Sequence, residues 1–283
     1  MDKVSKTLYI PLYGKAWVSR RGLLLEDKKA EEIWEKEGFA LKGKAKSKWL
    51  AYNMGMRSAV FDRWTQGQLE EHPDPVILHL GCGLDSRCVR VNTENCQWFD
   101  VDFPEVIEER KRFFEESEHY HMIGADIREE GWLTLIPEGR TGIILMEGVS
   151  MYLKPEELKR VLKRCREHFR QVRILMDSYT VFAARATRYK NPINQVGVTQ
   201  VYGFDNPGEL EEGTGLTFVQ EHSLTPEWLI RQLPQREQGF FRILFAGGMA
   251  KKIYRLYEYQ KKMPHPFGCG IPDCRKSLAE FSA

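Results

Sequence analysis

VILHLGCGLDSR, residues 76–87, is a short apolar run that ends in two closely spaced glycines. Apolar side chains in succession, closed by glycine, mark a strand buried on both faces, as strands of a parallel sheet are. Gly81 and Gly83 stand where a tight turn leaves the strand and where a nucleoside-type ligand has to approach the backbone closely. Two glycines alone are a weak signal. About twenty residues further on, QWFDVD (97–102) reads as a second strand, and Asp102 at its end can accept hydrogen bonds from both hydroxyls of a ribose. The plain alternative for Asp102 is to cap the helix that Pro104 opens.

Outward from this pair, strands and helices alternate. PEVIEERKRFFEES (104–117) is a predicted helix, HYHMIGAD (119–126) a third strand, GIILMEGVSMYL (142–153) a strand running into its loop, PEELKRVLKRCREHF (155–169) a helix with proline in its first turn, and VRILMDSY (172–179) a further strand. Such alternation predicts a parallel sheet wrapped by helices, with ligands at the carboxyl ends of its strands. Upstream, LLLEDKKAEEIWEK and KSKWLAYNMGMRSAVFDRWTQGQL carry apolar residues at helical spacing, and Pro73 and Pro75 end that preface. Downstream, LTFVQEHSL and IYRLYEYQ predict two last strands, an antiparallel pair at the sheet edge, joined by a helical stretch from Pro226 to Phe245.

The fold class expected is therefore α/β: a Rossmann-like, mostly parallel sheet with an antiparallel edge strand, N-terminal helices and a lid insertion. One domain accounts for the chain. It divides into a helical cap (1–72), a cofactor-binding core (73–178), a lid (179–213) rich in Gly, Asn and Pro, the last two strands with their helix (214–261), and a tail (262–283).

Composition excludes several classes. With 42 Lys plus Arg against 40 Asp plus Glu, the formal charge of +2 offers no reason to invoke nucleic acid or a membrane surface. No apolar run approaches the roughly 20 residues of a spanning helix, and the first residues lack the apolar core of a signal peptide, so a soluble, cytoplasmic protein is expected. Cys82, Cys88, Cys96, Cys165, Cys269 and Cys274 form no disulfide framework and read as reduced thiols. Cys269 and Cys274 frame CGIPDC near His265 without a second ligand pair at zinc spacing, so no metal is expected. No histidine pair marks a metal site or a general base.

The glycine turn serves dinucleotides and adenosylmethionine alike. In the dinucleotide fingerprint a third glycine lets a helix N-terminus hold a pyrophosphate; here that position is Ser86, and Asp85 beside it would repel a phosphate. A ligand without phosphate is favoured, and S-adenosyl-L-methionine is one.

GCGLDSR (81–87), FDVDFPEV (99–106), GADIR (124–128), MEGVSMYL (146–153) and the upstream MRSAVFD (56–62) together resemble the leucine carboxyl methyltransferase family, in particular its bacterial branch of polyketide-type O-methyltransferases. The resemblance runs in order from Arg57 to Phe182, with a weaker echo to Gln260. It implies that Arg57 pairs with the methionine carboxylate, that Gly81 and Gly83 line the cofactor, that Asp102 holds the ribose, that Asp126 and Ile127 flank the adenine, and that Glu147 lies beneath the methionine or sugar. An arginine fork suits a carboxylate, although Arg57 alone reads as a solvated helix face. Glu147 stands in an apolar run, where a buried carboxylate needs a partner: a ligand ammonium, or a salt bridge to a neighbouring helix. Tyr152 could turn its ring to the sulfonium, or simply pack. Tyr13, Trp17 and Arg20 either close over the methyl acceptor or belong to a docked helix. Cys82 between the glycines and the single acid Asp62 depart from the family pattern.

The function these readings imply is S-adenosylmethionine-dependent O-methylation of a small-molecule hydroxyl or carboxylate. Lid residues Arg185, Arg188, Tyr189, Lys190 and Tyr202 hint at an anionic or aromatic acceptor. Two alternatives stand beside it: carboxyl methylation of a protein or peptide C-terminus, and, in another class, an NAD-dependent oxidoreductase, against which Ser86 counts.

Overall fold

The computed structural model describes residues 5–37, 46–186 and 200–261. Among them seven strands form one sheet: β1 (Val76–Leu80), β2 (Gln97–Asp102), β3 (Tyr120–Gly124), β4 (Thr141–Met146), β5 (Gln171–Tyr179), β6 (Leu216–His222) and β7 (Tyr254–Lys261). They are ordered β3-β2-β1-β4-β5-β7-β6. The first five run parallel, and β7 lies antiparallel to both β5 and β6. The expected edge pair is therefore present, with the last strand inserted between β5 and β6. β1 and β4 are neighbours although two strands separate them in the chain, so the connections leave β1 toward one side and β4 toward the other, and a crevice opens between their carboxyl ends.

Side chains alternate across the sheet and fill two cores. From β1, Ile77 joins a core with Trp98, Ile143, Leu145 and Leu256, roofed by the N-terminal helices α1 (Ser5–Ser19), α2 (Lys28–Glu37) and α3 (Lys48–Glu71). Val76, Leu78 and Leu80 join the opposite core with Val101, Ile144, Met146 and Tyr257. After the short α4 (Arg87–Arg90) and α5 (Pro104–Arg110), α6 (Pro155–His168) covers that second face with Leu158, Val161, Leu162 and Cys165, spaced to form one stripe. Pro155 opens α6, and the Glu157 side chain accepts from the Lys154 N–H at 2.8 Å.

Three predicted helices begin or end elsewhere. LLLED is not helical: Asp27 caps α2, its Oδ1 accepting from Ala30 N at 2.8 Å. The helix from Pro104 stops at Arg110, because Arg110 turns inward to an ion pair and Phe113 and Phe114 fold into the core behind it. The stretch from Pro226 splits at Pro234, which has no N–H to continue a helix, into α8 (Glu227–Ile230) and α9 (Gln235–Phe245). The remaining helices are α7 (Val181–Ala186) and α10 (Gly248–Lys251). Of the lid, 187–199, with Arg188, Tyr189 and Lys190, lies outside the described residues, as does the tail with Cys269, Cys274 and His265.

Arg110 ties the sheet to the glycine turn. It is fully buried, its Nη2 is 2.5 Å from Asp100 Oδ2, its Nε donates to Tyr120 Oη at 2.9 Å, and its Nη1 donates to the Gly83 carbonyl at 3.0 Å. Asp100 also accepts from Trp98 Nε1 at 2.8 Å. Removing the cation leaves a buried carboxylate uncompensated, so Arg110→Met should destabilise the chain by about 3–5 kcal/mol. The expected readout is a lower urea midpoint at unchanged denaturant sensitivity; an unshifted midpoint would show that the pair carries no net stability.

Candidate functional site

A cavity of about 560 Å³ opens at the carboxyl edge of the sheet, over the ends of β1 to β5 and the start of β7. Arg57, Gly81, Gly83, Asp102, Asp126, Ile127, Glu147 and Tyr152 all line it. Residues spread over nearly a hundred positions of chain thus meet in one place.

Both glycines take left-handed backbone, φ +65° at Gly81 and +52° at Gly83. The space around them is filled by the protein itself: a Cβ on Gly81 would lie 2.1 Å from Val149 Cγ2, and one on Gly83 2.9 Å from Leu8 Cδ2. Close approach of chain to chain, as well as of any ligand, requires glycine here. Asp102 accepts from Gly83 N at 2.7 Å through Oδ2 and from Phe103 N at 2.8 Å through Oδ1. It therefore pins the glycine turn and does not cap the helix that Pro104 opens, whose N-cap is Phe103 without a side-chain cap, and each Asp102 oxygen keeps a second lone pair. Burial raises its pKa above the ordinary value, partly offset by those two N–H groups. Asp126 is gripped by its neighbour Arg128, whose Nε lies 2.9 Å from both carboxylate oxygens.

The other half of the cavity is built on ion pairs. Arg57, on α3, places Nε 3.1 Å from Glu147 Oε1 and donates from Nη1 to Asp177 at 3.1 Å and to the Tyr254 hydroxyl at 3.0 Å. Arg87 Nη2 is 2.5 Å from Glu147 Oε2, and its Nε is 2.6 Å from Asp62. Arg90 holds Asp62 at 2.8 Å, Asp27 at 2.6 Å and Asp85 at 3.3 Å. Lys15, on α1, closes the chain of pairs onto Asp85. Connected this way are the cations Lys15, Arg57, Arg87 and Arg90 and the carboxylates Asp27, Asp62, Asp85, Glu147 and Asp177, one carboxylate more than cations.

Burial and pairing pull these acids in opposite directions. Burial raises Asp85 and Glu147, but Arg87, Lys15 and Arg90 around the first, and Arg57 and Arg87 around the second, outweigh it and hold both below the ordinary carboxylate range. Asp177 is the exception: burial pushes it up to about 6, and Arg57 offsets only part of that. Beside it, burial and the Asp177 charge raise the Tyr254 phenol, and burial pushes Tyr152 up to about 12.

Several expectations change. Asp85 does not present a free charge to repel a phosphate, since three cations neutralise it. Glu147 has taken its plain alternative, salt bridges to α3 and α4. Tyr13 and Trp17 do not close over the cavity: Tyr13 packs on Trp34, Trp17 meets Tyr52 edge-on, and Arg20 pairs with Glu35. The docked-helix reading holds, and the opposite face of α1 supplies Leu8, Ile10, Pro11, Leu12 and Lys15 to the cavity wall. Sequence reasoning also missed Arg87, Asp177, Tyr179 and Tyr254. Only the acid in DSY near a strand end signalled any of them; Tyr254 is far in sequence and reaches the site because β7 runs antiparallel.

Among the described residues, no cluster of three or more His, Cys, Asp or Glu side chains could hold a metal ion, and no helix is long and apolar enough to cross a membrane. Cys82, Cys88, Cys96 and Cys165 are buried free thiols.

Comparison with known proteins bears on this site. The family model for leucine carboxyl methyltransferase matches residues 6–166. The tetracenomycin polyketide synthesis O-methyltransferase of Streptomyces glaucescens is 35% identical over 170 residues, covering 59% of this chain and 63% of that protein. An S-adenosyl-L-methionine-dependent methyltransferase of Gibberella zeae is 29% identical over 170 residues, covering 55% and 57%. The matches thus span less than two thirds of the length of these relatives. In three dimensions, a structure from Galdieria sulphuraria described as a sarcosine dimethylglycine methyltransferase superposes with a TM-score of 0.50 at 10% identity, over 83% of this chain and 98% of that one, a likeness of fold.

The acids give the stability a two-sided pH dependence. Asp177, raised in the fold, contributes fully below the unfolded value near 4 and loses that contribution as pH rises through about 6, worth about 3 kcal/mol by linkage. Asp85 and Glu147, held low, contribute at neutral pH and lose it as pH falls through their depressed values. Thermal unfolding of Asp177→Asn between pH 4 and 8 should therefore lack the decline that the parent shows between pH 4 and 6; parallel curves would refute the assignment.

Proposed function

Because the chain belongs to the leucine carboxyl methyltransferase family, we propose that it transfers the methyl group of S-adenosylmethionine to an oxygen, hydroxyl or carboxylate, of a small molecule. The observation that carries the reading is the two-part cavity: a ribose-type carboxylate beside a glycine turn over β1 and β2, and a buried network with an excess carboxylate over β4 and β5.

The residues present fit that cofactor. Asp102 keeps a lone pair on each oxygen for the ribose hydroxyls, and Ala125, Ile127 and Leu153 offer apolar surface for an adenine. Arg57 lines the cavity, so its guanidinium stands where a methionine carboxylate can meet it. A ligand with two positive groups and one negative suits a wall whose linked charges are negative by one. When bound, this cofactor supplies an activated methyl group.

What the chain adds is alignment and dryness. Asp102 and Arg57 stand at two ends of an edge spanning four strands, β2, β1, β4 and β5, about 14 Å at the usual strand spacing, and so fix an extended ligand along it. Helix α1 lays Leu8, Ile10, Pro11 and Leu12 along the cavity and keeps water from the reacting centre. Tyr152, Tyr179 and Tyr254 line the wall nearest β5 and β7, giving the acceptor an aromatic surface.

Calorimetric titration of adenosylmethionine into the protein should show binding that Asp102→Ala weakens about ten- to a hundredfold, the value of hydrogen bonds to a charged acceptor. Tritiated methyl groups should then appear in small molecules of an extract. Absence of binding, or label confined to protein, would overturn the reading.

A further inference from the structure

Asp177 meets one cation of the network, Arg57, and shares it with Glu147, and the site described so far gives it nothing to do. It is fully buried near the end of β5, where Gly148 N donates to its Oδ1 at 2.8 Å and Arg57 Nη1 to its Oδ2 at 3.1 Å. It does not line the cavity, but Tyr254 does, and one Arg57 nitrogen, Nη1, bonds both the Asp177 carboxylate and the Tyr254 hydroxyl, which sets phenol and carboxylate side by side so that the hydroxyl proton can turn to Asp177. That hydroxyl also accepts from Arg57 at 3.0 Å. A phenol oxygen that donates to Asp177 and accepts one bond from Arg57 retains one lone pair, and an acceptor hydroxyl in the cavity can donate to it.

From this geometry, and resting on the methyl-transfer reading, we infer that Tyr254 and Asp177 form the proton path of the reaction. Tyr254 takes the proton of the acceptor hydroxyl while passing its own to Asp177, so that the network gains a proton as the reacting pair loses a positive charge. The balance is complete. The acceptor oxygen forms the new carbon–oxygen bond with its electron pair, the carbon–sulfur bond breaks with its pair left on sulfur, and the acceptor O–H proton ends on the Asp177 carboxylate. One positive charge disappears from the ligand and one negative charge from the protein. In a buried site, where an unmatched charge is costly, this keeps the total charge constant from substrates to products.

The same arrangement makes the network discriminate between the cofactor and its demethylated product. The sulfonium ligand carries one net positive charge and favours Asp177 ionised; the thioether product is neutral and favours Asp177 protonated. The groups facing Asp177 are Arg57 from α3, Glu147 and the Gly148 N–H after β4, and Tyr254 from β7, with Tyr152 and Tyr179 nearby. Burial dominates among them and places the carboxyl at about 6, within reach of a proton near neutral pH.

The test is a proton count. Calorimetric titration of S-adenosylmethionine and of S-adenosylhomocysteine into the whole protein, each in phosphate and in Tris at pH 7, gives the protons bound with each ligand. The product should take up a substantial fraction of a proton more than the cofactor, and the ratio of their affinities should change up to tenfold per pH unit between pH 6 and 8. Asp177→Asn should abolish both effects. Tyr254→Phe, which keeps Asp177, should retain the pH-dependent ratio and slow methylation of a hydroxyl acceptor more than of a carboxylate, which brings no proton. Equal proton counts for the two ligands would overturn the inference and leave the methyl-transfer reading standing. An unequal count that survives in Asp177→Asn would assign the proton to another group and overturn it too. No binding of either ligand would remove the reading on which it rests.

Discussion

Arginine cannot shed its charge inside a protein, so a buried guanidinium has to be met by carboxylates wherever the chain can bring them. The side chains of Arg57, Arg87 and Arg90 are each less than a tenth exposed, and the acids that meet them come from α3, the loop before α2, the glycine turn, and the ends of β4 and β5. Pairing therefore fixes the helical cap against the sheet at one place, the crevice at the switch of strand order. Lys15 extends the same constraint to α1, which could otherwise cover any part of that face.

A network of this kind is weak evidence for stability, because taking charges out of water costs about as much as pairing them returns. Its value lies in position. It sets Glu147, just past the end of β4, beside Asp177 of the neighbouring β5, turns Arg57 so that it lies against the cavity, and leaves one carboxylate in excess. On the other side of the crevice, Arg110 and Asp100 form a separate pair that anchors the Gly83 carbonyl, so both halves of the cavity floor hang from buried charges. Where one half offers backbone, Asp102 and the neutralised Asp126–Arg128 pair, and the other an ion network with one carboxylate in excess, a ligand with a neutral nucleoside and a charged tail is favoured in one orientation.

Glycine, acid and strand could be recognised in VILHLGCGLDSR and QWFDVD because their signals are local: an apolar run of strand length, a residue that alone tolerates positive φ, and a carboxylate at a strand end. The antiparallel edge was legible from the break in alternation after Tyr179. The site was legible in part. Arg57, Asp102, Asp126, Ile127 and Glu147 could be named from motifs that resemble a family, and they surround one cavity. Their partners could not be named, because an ion pair across 120 residues, such as Arg57 to Asp177, leaves no periodic or spacing signal in the chain. Asp85 was legible as an acid and misread as a free one for the same reason.

Taken alone, the sequence determined the architecture, the glycine turn with its paired Asp102, and the family, because each rests on short-range patterns that steric rules and burial translate directly into backbone. Tertiary structure alone decided which face of α1 meets the cavity, which cations quench Asp85 and Glu147, and that Asp177 shares the Arg57 cation with Glu147 beside Tyr254. The physical reason is that charge in a protein interior is set by what surrounds a group within a few ångströms in space, and those neighbours are assembled from six separate parts of the chain only when the sheet closes.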